Sequence, residues 1–319
     1  VESYPWLQSL WLQLKQNLDN ERMPGALLIQ AQNGLASDAL IAKYVAGVMC
    51  QNDPSEACGF CHSCDLLKSE SHPDVHYLLP EKDKKALSVD QIRQANKWAY
   101  ESSAFGRTRV IIIPNAETMN VASSNALLKT LEEPPKNCMF LLSAENARLL
   151  LPTIRSRCEV WHIALPNAQT CLDWVSEQWG KRVPESAGYL CSYEPLTVLN
   201  FLKDKQDKSY DQIMASFLTF LQGSRLDTSI VWSEIAKSKI DFSIVLGWYW
   251  HLLCAAQKQS LGVDGVSKLR EAKVLSQLFS YECLFQQGSR IQALREQLRT
   301  SPGLNGEVLF ASWLYQFDS

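Results

Sequence analysis

Apolar residues recur at helical spacing at the start of the chain, where Leu7, Leu10, Trp11, Leu14 and Leu18 share one face. Pro24-Gly25 breaks that pattern before the uninterrupted run Ala26-Leu27-Leu28-Ile29, which predicts a strand. A turn-like stretch from Gln30 to Ser37 then leads into a second helical pattern on Leu40, Ile41, Tyr44, Val45 and Val48. Strand, loop and helix in that order make the unit in which a phosphate loop sits.

Further along, Val75-His76-Tyr77-Leu78-Leu79 predicts a short strand, and Ser88-Val89-Asp90-Gln91 has the form of a capping box opening a helix through Trp98. Val110-Ile111-Ile112-Ile113 reads as a strand buried on both faces. Ser123 or Ser124 is expected to cap a helix from Asn125 to Glu133, stopped by Pro134-Pro135. Met139-Phe140-Leu141-Leu142 and Val160-Trp161-His162-Ile163 supply two more strands. The alternation predicts an α/β domain with a mostly parallel sheet over residues 1–163.

Beyond Pro166 the periods are helical, around Leu172–Trp179, Tyr210–Leu221, Ile244–Ala256, Val274–Phe285 and Ile291–Leu298, so this half is expected to be all-α. The charged stretch Lys203-Asp204-Lys205-Gln206-Asp207-Lys208 reads as a linker between a small domain, 164–205, and a larger one, 206–319; the competing reading is a solvated helix end. Trp248, Trp250 and His251 fall on one helix, as core or contact residues rather than a base-stacking platform.

With 319 residues, 46% of them apolar and 20% charged, the chain has the composition of a multidomain globular protein and not of a disordered or low-complexity one. No apolar run reaches the ~18 residues of a membrane span, and Val1-Glu2-Ser3-Tyr4-Pro5-Trp6 lacks the basic start of a signal peptide, so a cytoplasmic protein with no membrane partner is expected. A net charge of −3 gives no global electrostatic reason to bind nucleic acid and leaves room only for a local basic patch. Five dispersed histidines support no nucleophilic triad.

Ten cysteines in such a chain point to thiols or metal ligands rather than disulfides. Cys138, Cys158, Cys171, Cys191, Cys254 and Cys283 are scattered, as packing residues are. Cys50, Cys58, Cys61 and Cys64 are clustered, with Gly59 available for a tight turn. Four thiolates at this spacing suit a closed, structural Zn²⁺ site. An iron–sulfur cluster is the alternative, weakened because the fourth cysteine lies upstream of the C-x2-C-x2-C run. His62 is a spare ligand.

The loop after the first strand, Ala31-Gln32-Asn33-Gly34-Leu35-Ala36-Ser37-Asp38, fails the phosphate-loop template G-x-x-x-x-G-K-[ST]. Ala31 and Ala36 stand at the glycine positions, Ser37 at the lysine and Asp38 at the hydroxyl, where an acid repels phosphate. The strand Val110–Ile113 ends in Pro114-Asn115 instead of carboxylates that would hold Mg²⁺. Both halves of an ATPase site are missing, so no ATP is expected to bind. Glu132-Glu133, before Pro-Pro, reads as a subunit-contact or solvated edge and not an acid/base pair. His72-Pro73-Asp74 matches a J-domain tripeptide but lacks the flanking long helices.

Ala126-Leu127-Leu128-Lys129-Thr130-Leu131-Glu132-Glu133-Pro134-Pro135 and Ile154-Arg155-Ser156-Arg157-Cys158, behind the four-cysteine module, resemble the AAA+ clamp-loader subunits that serve bacterial DNA polymerase III. The similarity is densest over residues 4–163 and continues at Gly303-Leu304-Asn305. The resemblance implies a RecA-like AAA+ domain with an inserted zinc module, a small helical lid and a C-terminal helical collar. It further implies a non-hydrolysing stator in a five-subunit ring with motor subunits and the delta subunit. Such a ring loads the sliding clamp onto primer-template DNA. Arg157, within Ser156-Arg157-Cys158, would act in trans as an arginine finger on a neighbour's ATP. Two alternatives stand beside this reading: a working ATPase with an atypical phosphate loop, and a stand-alone zinc-dependent DNA-binding module.

Overall fold

The computed structural model describes residues 3–82, 84, 86–223, 227–263, 268–301 and 303–317. Val1 and Glu2, part of the N-terminal reading above, lie outside the described residues. The chain divides into two compact units, residues 1–166 and 167–319.

The first unit runs α1 (Gln8–Asp19), β1 (Ala26–Gln30), α2 (Ser37–Met49), α3 (His62–Lys68), β2 (Val75–Tyr77), α4 (Val89–Tyr100), β3 (Arg109–Ile113), α5 (Val121–Glu132), β4 (Cys138–Ala144), α6 (Pro152–Arg155) and β5 (Glu159–His162). The strands form one parallel sheet in the order β2-β3-β4-β1-β5. Every residue of β3 and β4 is buried, as their unbroken apolar runs require. Alternate β1 residues feed opposite faces. Leu27 and Ile29 pack with Leu14, Tyr44 and Val45, while Ala26 and Leu28 pack with Ile92, Leu127 and Phe140. The predicted parallel-sheet domain is observed.

The capping box forms as read: Gln91 N–H donates to Ser88 Oγ, and Ser88 N–H donates to Gln91 Oε1. The start of α5 is a correction. Asn120, not Ser123 or Ser124, is the cap, its Oδ1 accepting from Ser123 N–H at 2.9 Å, so the helix begins four residues before Asn125. Asn is among the best capping residues, and both serines fit inside the first turn, where they are buried.

The second unit contains α7 (Ala168–Trp179), α8 (Glu185–Leu190), α9 (Pro195–Lys203), α10 (Gln206–Gln222), α11 (Ser229–Ser238), α12 (Phe242–Ser260), α13 (Arg270–Leu278), α14 (Tyr281–Thr300) and α15 (Gly306–Leu314). Among the described residues it is helical, with no strand. One adjustment follows from a cap. The expected helix 274–285 is broken at Phe279-Ser280, because Ser280 Oγ accepts from Cys283 N–H and starts α14 afresh. The stretch 203–208 is a two-residue break, Asp204 and Lys205, between α9 and α10. Trp248 is buried edge-on to Phe201 and Tyr210. No helix among the described residues is long and apolar enough to cross a membrane.

Candidate functional site

The four-cysteine segment lies between α2 and α3. Cys50 ends α2, and Cys61 caps α3 with its sulfur accepting from Cys64 N–H, so the C-x2-C spacing turns both thiols toward one point. Gly59 sits at φ +78 in the open, so its conformation and not crowding requires glycine. The four sulfurs lie within 4.8 Å of one another. A tetrahedral ion at the usual Zn–S distance of about 2.3 Å would bring them to roughly 3.8 Å, a small contraction.

The donor set suits thiolate ligands. Cys50 Sγ accepts from Asp53 and Cys58 N–H, and Cys58 Sγ from Asn52 Nδ2. Burial alone pushes the Cys50 and Cys61 thiols up. The backbone donors reverse this, holding Cys50 below its ordinary value and Cys61 at about 6. Cys64, where burial combines with the adjacent sulfurs, is pushed up to about 12.

The module is tied into the domain at several points. Arg107 donates to the carbonyls of Cys50 (2.7 Å) and Gln51 (3.1 Å), and Lys15 pairs with Glu56. Ser63 donates to Met49 O, so His72 Nε2, 2.8 Å away, must donate to Ser63, while His72 Nδ1 accepts from Asp74 N–H. The Asp74 carboxylate is fully buried against Arg109 at 3.2 Å and accepts from Ser103 Oγ and Ala104 N–H. His72-Pro73-Asp74 is therefore an internal fastening between the module and the sheet.

The loop 31–38 follows β1 and enters α2. Its backbone is shaped for glycine at two places: Gly34 has φ +77, and Ala36, at a template glycine position, has φ +58. Leu35 is buried, and its carbonyl accepts Trp6 Nε1–H at 2.9 Å. Asp38 is exposed in the first turn of α2. Ala31 is buried under the sheet end, and its N–H donates to Ala144 O. The loop has left-handed residues at Gly34 and Ala36, with Ser37 where the template has lysine and Asp38 where it has a hydroxyl.

Arg157 follows α6 and precedes β5. Its Nη1 donates to Thr153 O at 2.9 Å, and its Nη2 pairs with Glu132 at the end of α5. Ser156 is exposed, and Cys158 is half-buried against the core, its thiol pushed up to about 11 by burial. Because β1 and β5 are parallel, with Leu27 opposite Glu159 and Gln30 opposite His162, the loop and Arg157 stand at opposite ends of the strands. Five strand residues at about 3.3 Å each put the length of β1 between them, roughly 16 Å.

Residues 6–167 match the family described as DNA polymerase III, delta subunit, and residues 197–319 match its C-terminal family. The DNA polymerase III subunit delta′ of Yersinia pestis is 32% identical over 328 residues, covering 99% of this chain and 95% of that protein. The chain belongs to the DNA polymerase III delta-prime family. Its similarity to the delta-prime subunits of Haemophilus influenzae (30% identical, 98% of this chain, 95% of that protein) and Escherichia coli K12 (29%, 99%, 95%) likewise extends over nearly the whole length. These are clamp-loader proteins of DNA replication, accessory to the polymerase. Sequence reasoning on this delta-prime chain singled out the cysteines, the loop and Arg157. It missed the acidic partner of Arg157 and the Trp6 bond over the loop, both of which join residues 25 or more positions apart.

Proposed function

We propose that this chain is the non-hydrolysing stator of a DNA polymerase III clamp loader, completing the ATP site of a neighbouring motor subunit with Arg157. The observation that carries this reading is the opposite placement of the two features. A loop lacking lysine and hydroxyl sits at one end of the parallel strands, and a half-exposed arginine sits at the other. A cation so far from its own loop cannot serve a nucleotide there, and in this reading it serves another chain's phosphate. There it would stabilise charge developing on the γ-phosphate, an effect worth about 10³–10⁵ in rate for arginine fingers.

In this reading residues 164–205 are a lid and 206–319 a collar that joins motor and delta subunits in a five-membered ring. The complex, cytoplasmic and replisome-associated, places the sliding clamp on primer-template DNA. Cys50, Cys58, Cys61 and Cys64 would hold a structural Zn²⁺, which supplies cross-linking and no chemistry because four thiolates close its coordination. The thiol set, buried at Cys50, Cys61 and Cys64 and half-buried at Cys58, and its N–H donors support this assignment.

The chain alone is expected to bind no ATP in equilibrium dialysis at millimolar nucleotide. Saturable binding, abolished by substitution in 31–38, would instead favour the working-ATPase alternative. A gel shift of primed DNA by the isolated chain would favour the stand-alone DNA-binding alternative.

A further inference from the structure

Glu132 sits in an electrostatically poor position. It is the last residue of α5, where the helix dipole presents negative charge, so a carboxylate there is disfavoured unless a cation answers it. The cation is Arg157, 25 residues on in sequence, and the pair is partly exposed, with side-chain exposures of 29% for Arg157 and 48% for Glu132. Ion pairs this open contribute little to stability. The pair therefore needs an explanation other than holding the domain together.

The end of α5 is itself fixed. Pro134, two residues after Glu132, packs against Gly25 so closely that a Cβ at Gly25 would lie 2.3 Å from Pro134 Cγ. Gly25 leads into β1 and its carbonyl accepts from Phe140 N–H of β4, so the Pro-Pro stop is anchored to two central strands. Glu132 is thus carried on a corner packed against the central strands. On the other side, Arg157 is gripped by the Thr153 carbonyl of α6 at 2.9 Å. The guanidinium is held through Nη1, by Thr153 O and Ser156 Oγ, and through Nη2, by Glu132, and the side chain remains partly exposed to a third group.

We infer that Glu132 is a positioning residue for Arg157: a carboxylate brace that sets the guanidinium plane before a neighbour's phosphate arrives. This rests on the reading of Arg157 as a finger acting in trans. An arginine side chain left to itself spreads over many rotamers, and ordering it only when the transition state forms would cost the complex rate. Glu132 holds Nη2 through one carboxylate oxygen while the Thr153 carbonyl holds Nη1, and two anchors on different guanidinium nitrogens fix orientation as well as reach. Glu132 touches no substrate, and its effect passes through Arg157 alone.

The test is DNA- and clamp-stimulated ATP hydrolysis by the complex reconstituted with its motor subunits. The chains compared are native, Glu132→Gln, Glu132→Asp, Arg157→Ala and the Glu132→Gln/Arg157→Ala double variant, each with assembly checked by gel filtration and melting temperature. Glu132→Gln keeps the side-chain volume and is expected to lower kcat about fivefold with little change in KM, as the loss of one open ion pair predicts. Glu132→Asp should recover part of the loss, and Glu132→Gln should add nothing to Arg157→Ala. A Glu132→Gln turnover equal to or above native, or a further loss on top of Arg157→Ala, overturns the brace. If Arg157→Ala itself leaves turnover unchanged, the finger reading fails and the brace with it. A crippling Arg157→Ala beside a harmless Glu132→Gln removes only the brace.

Discussion

At the scale of single residues, ionisable groups in this chain are governed by what packs on them. His251, on α12, shows this in the helical unit. Burial, with Arg295 and Lys258 adding repulsion, holds its imidazole at about 4, well below the ordinary 6.5. Ser192 Oγ lies 3.3 Å from Nε2, and the rings of Tyr189 and Trp250 lie against the imidazole. An unfolded chain protonates this histidine near 6.5 and the native one only near 4. Its contribution to stability is complete above pH 6.5 and is lost as pH falls from there toward 4. Urea unfolding at pH 7.5 and pH 5 should show a loss on the order of 1–2 kcal/mol at the lower pH, and His251→Gln should remove that part of the difference. An unchanged pH dependence in the variant would place the acid sensitivity elsewhere. The sequence showed His251 only as a core or contact residue, since a histidine on a helix carries no sign of what the end of α8 and α14 place around it. Four cysteines within fifteen residues are different, because their spacing is itself the constraint.

At the scale of elements, strands and caps were legible where the signal was local. The run Val110–Ile113 could only be buried on both faces, and Ser88 with Gln91 forms its capping box within four residues. The start of α5 was misread because three residues in its first positions can each cap, and which one does depends on how the turn before it docks. Helix α3 was not anticipated: seven residues are too short to show a period, and the helix exists because Cys61 caps it within the cysteine module. That module is fastened to α1, α2, β3 and the segment after α4 through Lys15, Ser63, the His72-Asp74-Arg109 chain and Arg107. Purified chain is accordingly expected to be colourless, with one equivalent of zinc. Chelation should lower the melting temperature of the first unit by about 5 °C or more while the second melts unchanged. Brown, iron-containing protein, or melting indifferent to chelation, would reject a structural zinc.

At the scale of the whole molecule, the change from alternating strands and helices to helices alone marked the division near residue 166. The order β2-β3-β4-β1-β5 was not legible, because it depends on which parallel strands pair across long crossovers, and it decides the functional geometry. With β1 and β5 side by side and parallel, the loop after one and Arg157 before the other stand at opposite ends of the strands, which is the geometry the proposed role rests on. Sequence similarity to the delta-prime relatives runs along nearly the full length of the chain. The central claim is that Arg157 completes a neighbour's ATP site. It is tested most directly by stimulated ATP hydrolysis of the reconstituted complex carrying Arg157→Ala, with gel filtration confirming assembly. The account predicts a loss of turnover of about tenfold or more in an intact complex. Native turnover in that complex would contradict it and leave the chain a scaffold alone.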